Sequence, residues 1–258
     1  MSVDALLSNE DPAVFEIEGL HGRSPFVLTC DHGGRRIPRK LGKLGLSDDE
    51  LATHVAWDIG VADLGRRLAA RLDAFLISHN YSRLVIDMNR PPGTPDSIIT
   101  LSERTRVPAN EGLTPLEARQ RHDELFEPYH RRIADELDER EARGLPTVLV
   151  ALHSFTPVYK DDRRLWHAGV LYGRDSRVAR PMLAMLRADE SLVVGDNEPY
   201  RVTDASDYTV VFHGERRGLP HVELEIRQDL LLGDGDLGAW TERLAAALEE
   251  AARHVLPR

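Results

Sequence analysis

Side chains capable of chemistry recur at the ends of short apolar runs in this chain. Asp31-His32-Gly33-Gly34 follows the run 26–30, and Asp87, Asn89 and Arg90 follow 83–86, a run that begins with Arg83. His153-Ser154 follows 147–152, and Glu223, Glu225 and Arg227 alternate along one face of a last apolar stretch. Two histidines and at least one carboxylate can therefore meet at one edge of a sheet. A hydrolytic metal site needs little more: a few His or carboxylate ligands, an open position for water, and a nearby glutamate as base.

Each residue also has a plainer explanation. A histidine before Gly-Gly is a natural turn residue, so His32 is ambiguous from its position. His153 follows the most apolar run in the chain, where a charge-capable side chain is costly without a partner, so it is either a hydrogen-bonded histidine or a ligand. Asp58 falls in the apolar stripe of a predicted helix, between Val55 and Ala62. Carboxylates are rarely buried alone, so Asp58 either pairs with an arginine or histidine or binds a metal. His54 beside the same stripe reads as a core histidine, Asp63 as a solvated charge, and Glu50 as a first-turn acid favoured by the helix dipole. The alternation in "VELEIR" leaves open whether the Glu223/Glu225 face is a wet edge or a site.

These groups need a scaffold, and the chain reads as one. Short strands are expected at 26–30, "AFLISHN", "RLVIDM", "TVLVALHSF", "AGVLYG", near 209–212 and along "VELEIR". Helices are expected over "LSDDELATHVAWDIGVADLGRRLAARL" with Ser47 as N-cap, over 114–143 with Thr114 as N-cap, Pro115 at the first helical position and a kink at Pro128, over 178–188, and over "GAWTERLAAALEEAARHVL". Strands alternating with helices predict an α/β fold of three layers, a mainly parallel or mixed sheet with helices on both faces, in one domain over 1–258. Residues 1–24 read as a loosely ordered leading segment, and 91–113 as a long functional loop. In such sheets ligands sit at the carboxyl ends of the strands, where the polar groups above gather.

Composition narrows the function classes. Lys plus Arg number 33 against 43 Asp plus Glu, a formal charge of −10, with no acidic tail. That charge argues against nucleic acid and acidic membranes as partners, and makes a local cationic pocket necessary for any small anion. The single cysteine, Cys30, excludes an intrachain disulfide and a cysteine zinc cluster; it reads as a buried structural thiol rather than a nucleophile. No apolar run is long enough to span a bilayer, and the first residues do not resemble a signal peptide, so a cytoplasmic location is expected. There is no HExxH, Walker or GxSxG motif.

"DMNRPPG" resembles the Asp-x-Asn-Arg-x-x-Gly signature of the zinc carboxypeptidase and aspartoacylase superfamily. "CDHGG", "VAWDIG", "SRLVIDMNRPPG", "ALHSFTP" and "GLPHVELEIRQDLL", in that order from about residue 25 to 245, resemble the N-formylglutamate amidohydrolase family. The resemblance implies a phosphorylase/hydrolase-like α/β fold and a hydrolase, an amidase, using one zinc ion. It would cleave N-formyl-L-glutamate to formate and L-glutamate, late in histidine degradation. The same machinery acting on another small amide or peptide, or a non-catalytic carboxylate-binding protein, are the alternatives. It implies His32 and His153 as metal ligands. The superfamily's His-x-x-Glu is broken, since Arg35 stands three residues after His32, and Asp58 is taken as the third ligand. Glu225, before an apolar residue and Arg227, matches the catalytic glutamate, with Glu223 in reserve. Asn89 and Arg90, with Arg83 and Arg227, would bind the carboxylates of a small anionic N-acyl amino acid, and Asp87 would hold an arginine in place. Tyr200 and His213 could approach substrate.

Overall fold

A computed structural model describes residues 5–256. The strands are β1 (Phe15–Glu18), β2 (Phe26–Cys30), β3 (Phe75–His79), β4 (Leu101–Ser102), β5 (Thr105–Arg106), β6 (Val148–Phe155), β7 (Val158–Tyr159), β8 (Asp162–Arg163), β9 (Ala168–Leu171), β10 (Val194–Asp196) and β11 (His221–Arg227). The helices are α1 (Asp48–Leu51), α2 (Val61–Leu72), α3 (Pro115–Arg121), α4 (Glu127–Ala142), α5 (Ala179–Arg187) and α6 (Asp234–Val255). Seven strands form one mixed sheet in the order β1-β3-β2-β6-β11-β9-β10. Its centre, β3-β2-β6-β11, is parallel, while β1 and β9 run antiparallel to their inner neighbours. Every residue of β6 is buried, which requires cover on both faces.

Side-chain alternation divides that cover. Phe26, Leu28, Val148, Val150, Leu152, Val222, Leu224 and Ile226 pack against α2, α5 and α6. Val27, Phe75, Ile77 and Leu149 point the other way, onto α4 and the segments around residues 44–56 and 84–88. This is the expected three-layer α/β arrangement. No helix among the described residues is long and apolar enough to cross a membrane.

Local chemistry sets the helix starts. Ser47 with Glu50, and Thr114 with Glu117, each form a reciprocal capping box, and Pro115 occupies a first-turn position where its missing N–H costs nothing. Pro128 lies one residue inside α4 and is preceded by a wider π turn over His122–Phe126. A proline ring clashes with the carbonyl four residues back, and the wider turn relieves that clash without ending the helix.

Several sequence expectations need correction. The helix expected over 46–72 is two helices: it stops at Leu51 and restarts at Val61, with Asp58 in the turn between. "RLVIDM" is a run of turns rather than a strand. The Ser82 hydroxyl bonds Ala56 O and receives Leu84 N–H, folding the segment so that Leu84, Val85, Ile86 and Met88 bury together. Residues 210–217 form short helical turns instead of a strand. The leading segment contributes the edge strand β1, the loop 91–113 contains the β4–β5 hairpin, and β10 was not foreseen.

Candidate active site

β6 and β11 lie side by side and parallel, with Glu225 paired to His153 and Glu223 to Ala151. Their neighbours in sequence occupy the α2/α5/α6 core, so His153, Glu223 and Glu225 share the opposite face. That face is neither wet nor an edge: the three are only 3%, 3% and 6% exposed. β11 is an interior strand, flanked by β6 and β9.

His32 and Asp58 reach the same place from other elements. His32 follows β2, and its carbonyl accepts the Asp58 N–H at 3.0 Å, tying the pre-α2 turn to the sheet edge. Gly60 completes that turn at φ 82°, and a Cβ there would stand 2.6 Å from Leu231 Cβ. Asp58 Oδ2 lies 3.4 Å from His32 Nδ1 and 3.0 Å from His153 Nδ1. Ligand atoms of His32, Asp58 and His153 all lie within 4.8 Å of one another. With bonds of 2.0–2.1 Å, neighbouring ligands of a tetrahedral zinc ion stand about 3.3 Å apart, and the two Asp58 sides of this triangle, 3.4 and 3.0 Å, are close to that spacing. His32 Nδ1 has no hydrogen-bond partner among the described residues, consistent with a ligand atom.

Each histidine is backed by a carboxylate. His32 Nε2 bonds Asp87 Oδ1 at 2.7 Å, and Asp87 in turn receives Arg83 Nη2 at 2.9 Å. His153 Nε2 faces Asp31 Oδ2 at 3.5 Å, and Tyr129 donates its hydroxyl to Asp31 Oδ1 at 2.8 Å. Such backing fixes ring orientation and raises ligand basicity. Burial disfavours the charged form of His153, yet Asp31, Asp58 and Glu223 raise its pKa well above the usual value. Burial likewise opposes ionisation of Asp58 and Asp31, but the histidines hold both below the ordinary carboxylate range. This anionic nest draws positive charge to its centre, which a divalent cation would supply.

The glutamates differ in surroundings. Glu223 accepts from Asn89 Nδ2 at 3.3 Å, and burial, opposed by His153 and reinforced by Asp207, pushes it up to about 7. Burial also raises Glu225 well above the usual value, and its Oε2 lacks a partner among the described residues. Asn89 lines the cleft, but its amide is engaged by the protein: Oδ1 accepts Tyr208 N and Thr209 N, and Nδ2 also reaches Asp207 Oδ1 at 3.5 Å. Arg90 Nη1 is held by the carbonyls of Asn89 and Ser206.

These groups line a cleft of about 440 Å³, which also includes Arg83, Asp87, Asp207 and Tyr200. At its mouth His54, expected in the core, meets Glu103 at 3.1 Å, and Glu103 accepts Lys160 N at 2.5 Å, joining the β4–β5 and β7–β8 hairpins. Arg227 does not line the cleft. It is the last residue of β11 and turns to Asp229 and Trp166 O. His213 is likewise absent from the lining; it is buried against His130. Cys30 is buried with its thiol pushed up by burial, as befits a structural cysteine. Sequence reading gave no role to Asp31, Asp207, Glu103 or Tyr129. Only Asp31, adjacent to His32, carried a local signal.

Comparisons with known proteins find relatives over most of the chain. The family model for N-formylglutamate amidohydrolase matches residues 24–232. An N-formylglutamate deformylase of Pseudomonas aeruginosa is 29% identical over 144 residues, 52% of this chain and 53% of that protein. The chain thus matches about half the length of that curated relative. The solved structure of a gene product from Agrobacterium tumefaciens is 35% identical, with a TM-score of 0.93 over 96% of this chain and 98% of that one. An N-formylglutamate amidohydrolase from Ralstonia eutropha shares the fold at 19% identity, with a TM-score of 0.67 over 94% and 98% of the two chains.

Proposed function

As the chain belongs to the N-formylglutamate amidohydrolase family, we propose that it hydrolyses the N-acyl amide of a small acidic amino acid with the help of one zinc ion. The foremost substrate is N-formyl-L-glutamate, which with one water gives formate and L-glutamate. The observation that carries this reading is Glu225 Oε2, which has no hydrogen-bond partner among the described residues and stands beside the His32–Asp58–His153 triangle, a base placed next to a set of metal-ligating groups.

His32 Nδ1, Asp58 and His153 would hold the ion. When bound, zinc supplies Lewis acidity toward the amide carbonyl and makes water acidic enough to attack near neutral pH. Glu225 takes the proton of the attacking water and returns one to the departing amine nitrogen. Glu223, bonded to Asn89, is the second carboxylate of the strand and the reserve for that role. Arg90 and Arg83 face the cleft and receive the substrate's carboxylate groups, a task suited to a planar guanidinium. Asp87 holds Arg83 and His32 together. Asn89 fixes the loop that carries Asp207 and so shapes the carboxylate end of the cleft.

The direct test is formate release from N-formyl-L-glutamate by zinc-loaded protein, with chelated protein alongside. Chelator-sensitive release is expected. No release from protein shown to hold zinc would remove formylglutamate and point to another N-acyl amino acid.

A further inference from the structure

Two consecutive residues of α4, Tyr129 and His130, each begin a chain of contacts that ends on one of the two histidines of the triangle. The Tyr129 chain is short. Its hydroxyl donates to Asp31 Oδ1 at 2.8 Å, and Asp31 Oδ2 faces His153 Nε2 at 3.5 Å, an ion-pair approach in which neither atom has a hydrogen-bond partner among the described residues. The Tyr129 bond to Oδ1 fixes the plane of the carboxylate and so where Oδ2 stands relative to the imidazole. Tyr129 is fully buried, and burial beside Asp31 keeps its phenol protonated, so it can only be the donor in that bond.

The His130 chain is longer, and its directions follow from the acceptors. His130 Nε2 lies 2.9 Å from Met88 O, a carbonyl that can only accept, so Nε2 carries the proton. In a neutral ring Nδ1 is then an acceptor, and it receives His213 Nε2–H at 3.0 Å. His213 Nδ1 is left as a buried lone pair without a partner among the described residues. Burial favours the neutral form of both rings, bringing His130 down to about 4. The Met88 carbonyl belongs to the same peptide unit as the Asn89 N–H. That N–H donates to Asp87 Oδ1 at 2.9 Å, and the same oxygen holds His32 Nε2 at 2.7 Å. An unbroken line thus runs from His213 through His130, the 88–89 peptide and Asp87 to His32, each bond polarising the next.

We propose that Tyr129 and His130 are positioning residues that set the ring orientation of His153 and His32 from one rigid helix, with His213 fixing the tautomer of His130. This rests on the metal-binding reading of the triangle. One helix bracing both rings through adjacent residues ties the separation of the two ligand nitrogens to a single rigid body. None of Tyr129, His130 and His213 lines the cleft, so all three act through other groups.

The test is zinc affinity, measured by competition with a chromophoric chelator, in protein shown by its melting curve to be folded. Tyr129→Phe removes one oxygen, and His130→Phe removes the donor to Met88. Each should weaken zinc binding on the order of tenfold, the scale at which groups backing a ligand act. His130→Gln, which keeps an N–H at the same reach, should recover much of the loss. A purely structural role would lower the melting temperature and leave the affinity of the folded protein unchanged. Wild-type affinity in folded Tyr129→Phe and His130→Phe would overturn the proposal, as would His130→Gln binding no better than His130→Phe. Should His130→Phe fail to fold, Tyr129→Phe decides alone. Long-range ¹H–¹⁵N spectra of the wild type should show His130 protonated at Nε2 only, and a proton on Nδ1 would also overturn the proposal. Wild-type protein that does not bind zinc would instead defeat the metal reading itself.

Discussion

Glu225 stands directly opposite His153 across the β6–β11 ladder, while Glu223, two residues earlier on the same face, stands opposite Ala151. The two carboxylates therefore differ by one strand repeat in their distance from the histidine triangle. Glu223 is engaged by Asn89, whereas one oxygen of Glu225 has no partner among the described residues. A proton acceptor needs a free lone pair near the reacting water, which favours Glu225.

Glu225→Ala should retain zinc and substrate binding and lower kcat roughly 100- to 10,000-fold, the range associated with a general base. Glu223→Ala should act more mildly and mainly on KM, because it disturbs Asn89. Steady-state kinetics on both variants decides the order; full activity in Glu225→Ala with a dead Glu223→Ala would shift the role by two residues.

Removal of a ligand should separate metal from fold. Zinc at 100 times its dissociation constant should stabilise the wild type by about 2.7 kcal/mol. Neither His153→Ala nor Asp58→Ala should show that gain, and melting curves with and without zinc provide the comparison. A zinc-dependent shift in Asp58→Ala equal to that of the wild type would exclude Asp58 as the third ligand.

Arg90 and Arg227 make contrasting claims. Arg90→Ala removes a cleft-facing guanidinium and should raise KM about 10- to 100-fold, corresponding to a lost charge-assisted hydrogen bond of about 1.5–3 kcal/mol. Arg227→Ala, outside the cleft and paired with Asp229, should leave kcat/KM within about twofold, because neither partner of that pair lines the cleft. A large KM effect in Arg227→Ala would restore it to the site.

Acid should weaken the contribution of His130. Its folded pKa is lowered by burial to about 4, from an ordinary value of 6.5. Between those values the unfolded chain binds a proton that the folded chain refuses, so this contribution is complete above 6.5 and declines as the pH falls toward 4. Glu223 and His153 titrate in the opposite sense, so the total curve mixes signs. The diagnostic quantity is the stability difference between wild type and His130→Phe in urea. It should shrink by about 1.4 kcal/mol per pH unit across that window; a constant difference would show that His130 does not titrate as a buried neutral ring.

The parts of this molecule legible in the sequence are those written in local pattern. β2, β3, β6, β9 and β11 follow from apolar runs, and the capped starts of α1 and α3 from Ser47 and Thr114. The failures share a cause. "RLVIDM" has strand residues, but Ser82 offers its backbone a turn, and four apolar side chains bury equally well there. The stripe through Asp58 looked helical because period alone does not register that a carboxylate can turn into a site and bond His153, Ser154 N and Arg83. Asp31 and Tyr129 are 98 residues apart, and nothing local announces a bond between them. Asp207 sits in a Ser/Thr/Asp-rich stretch that reads like any loop, yet it ends near Asn89.

Cys30 gives the molecule a built-in reporter. It is the only thiol in 258 residues, and it lies buried at the end of β2, two positions before His32. A maleimide can reach it only when that strand end opens, so the labelling rate of otherwise untouched protein counts openings at the root of one candidate ligand. Following that rate with and without zinc would show how firmly the ion locks this corner of the sheet, without any engineered probe.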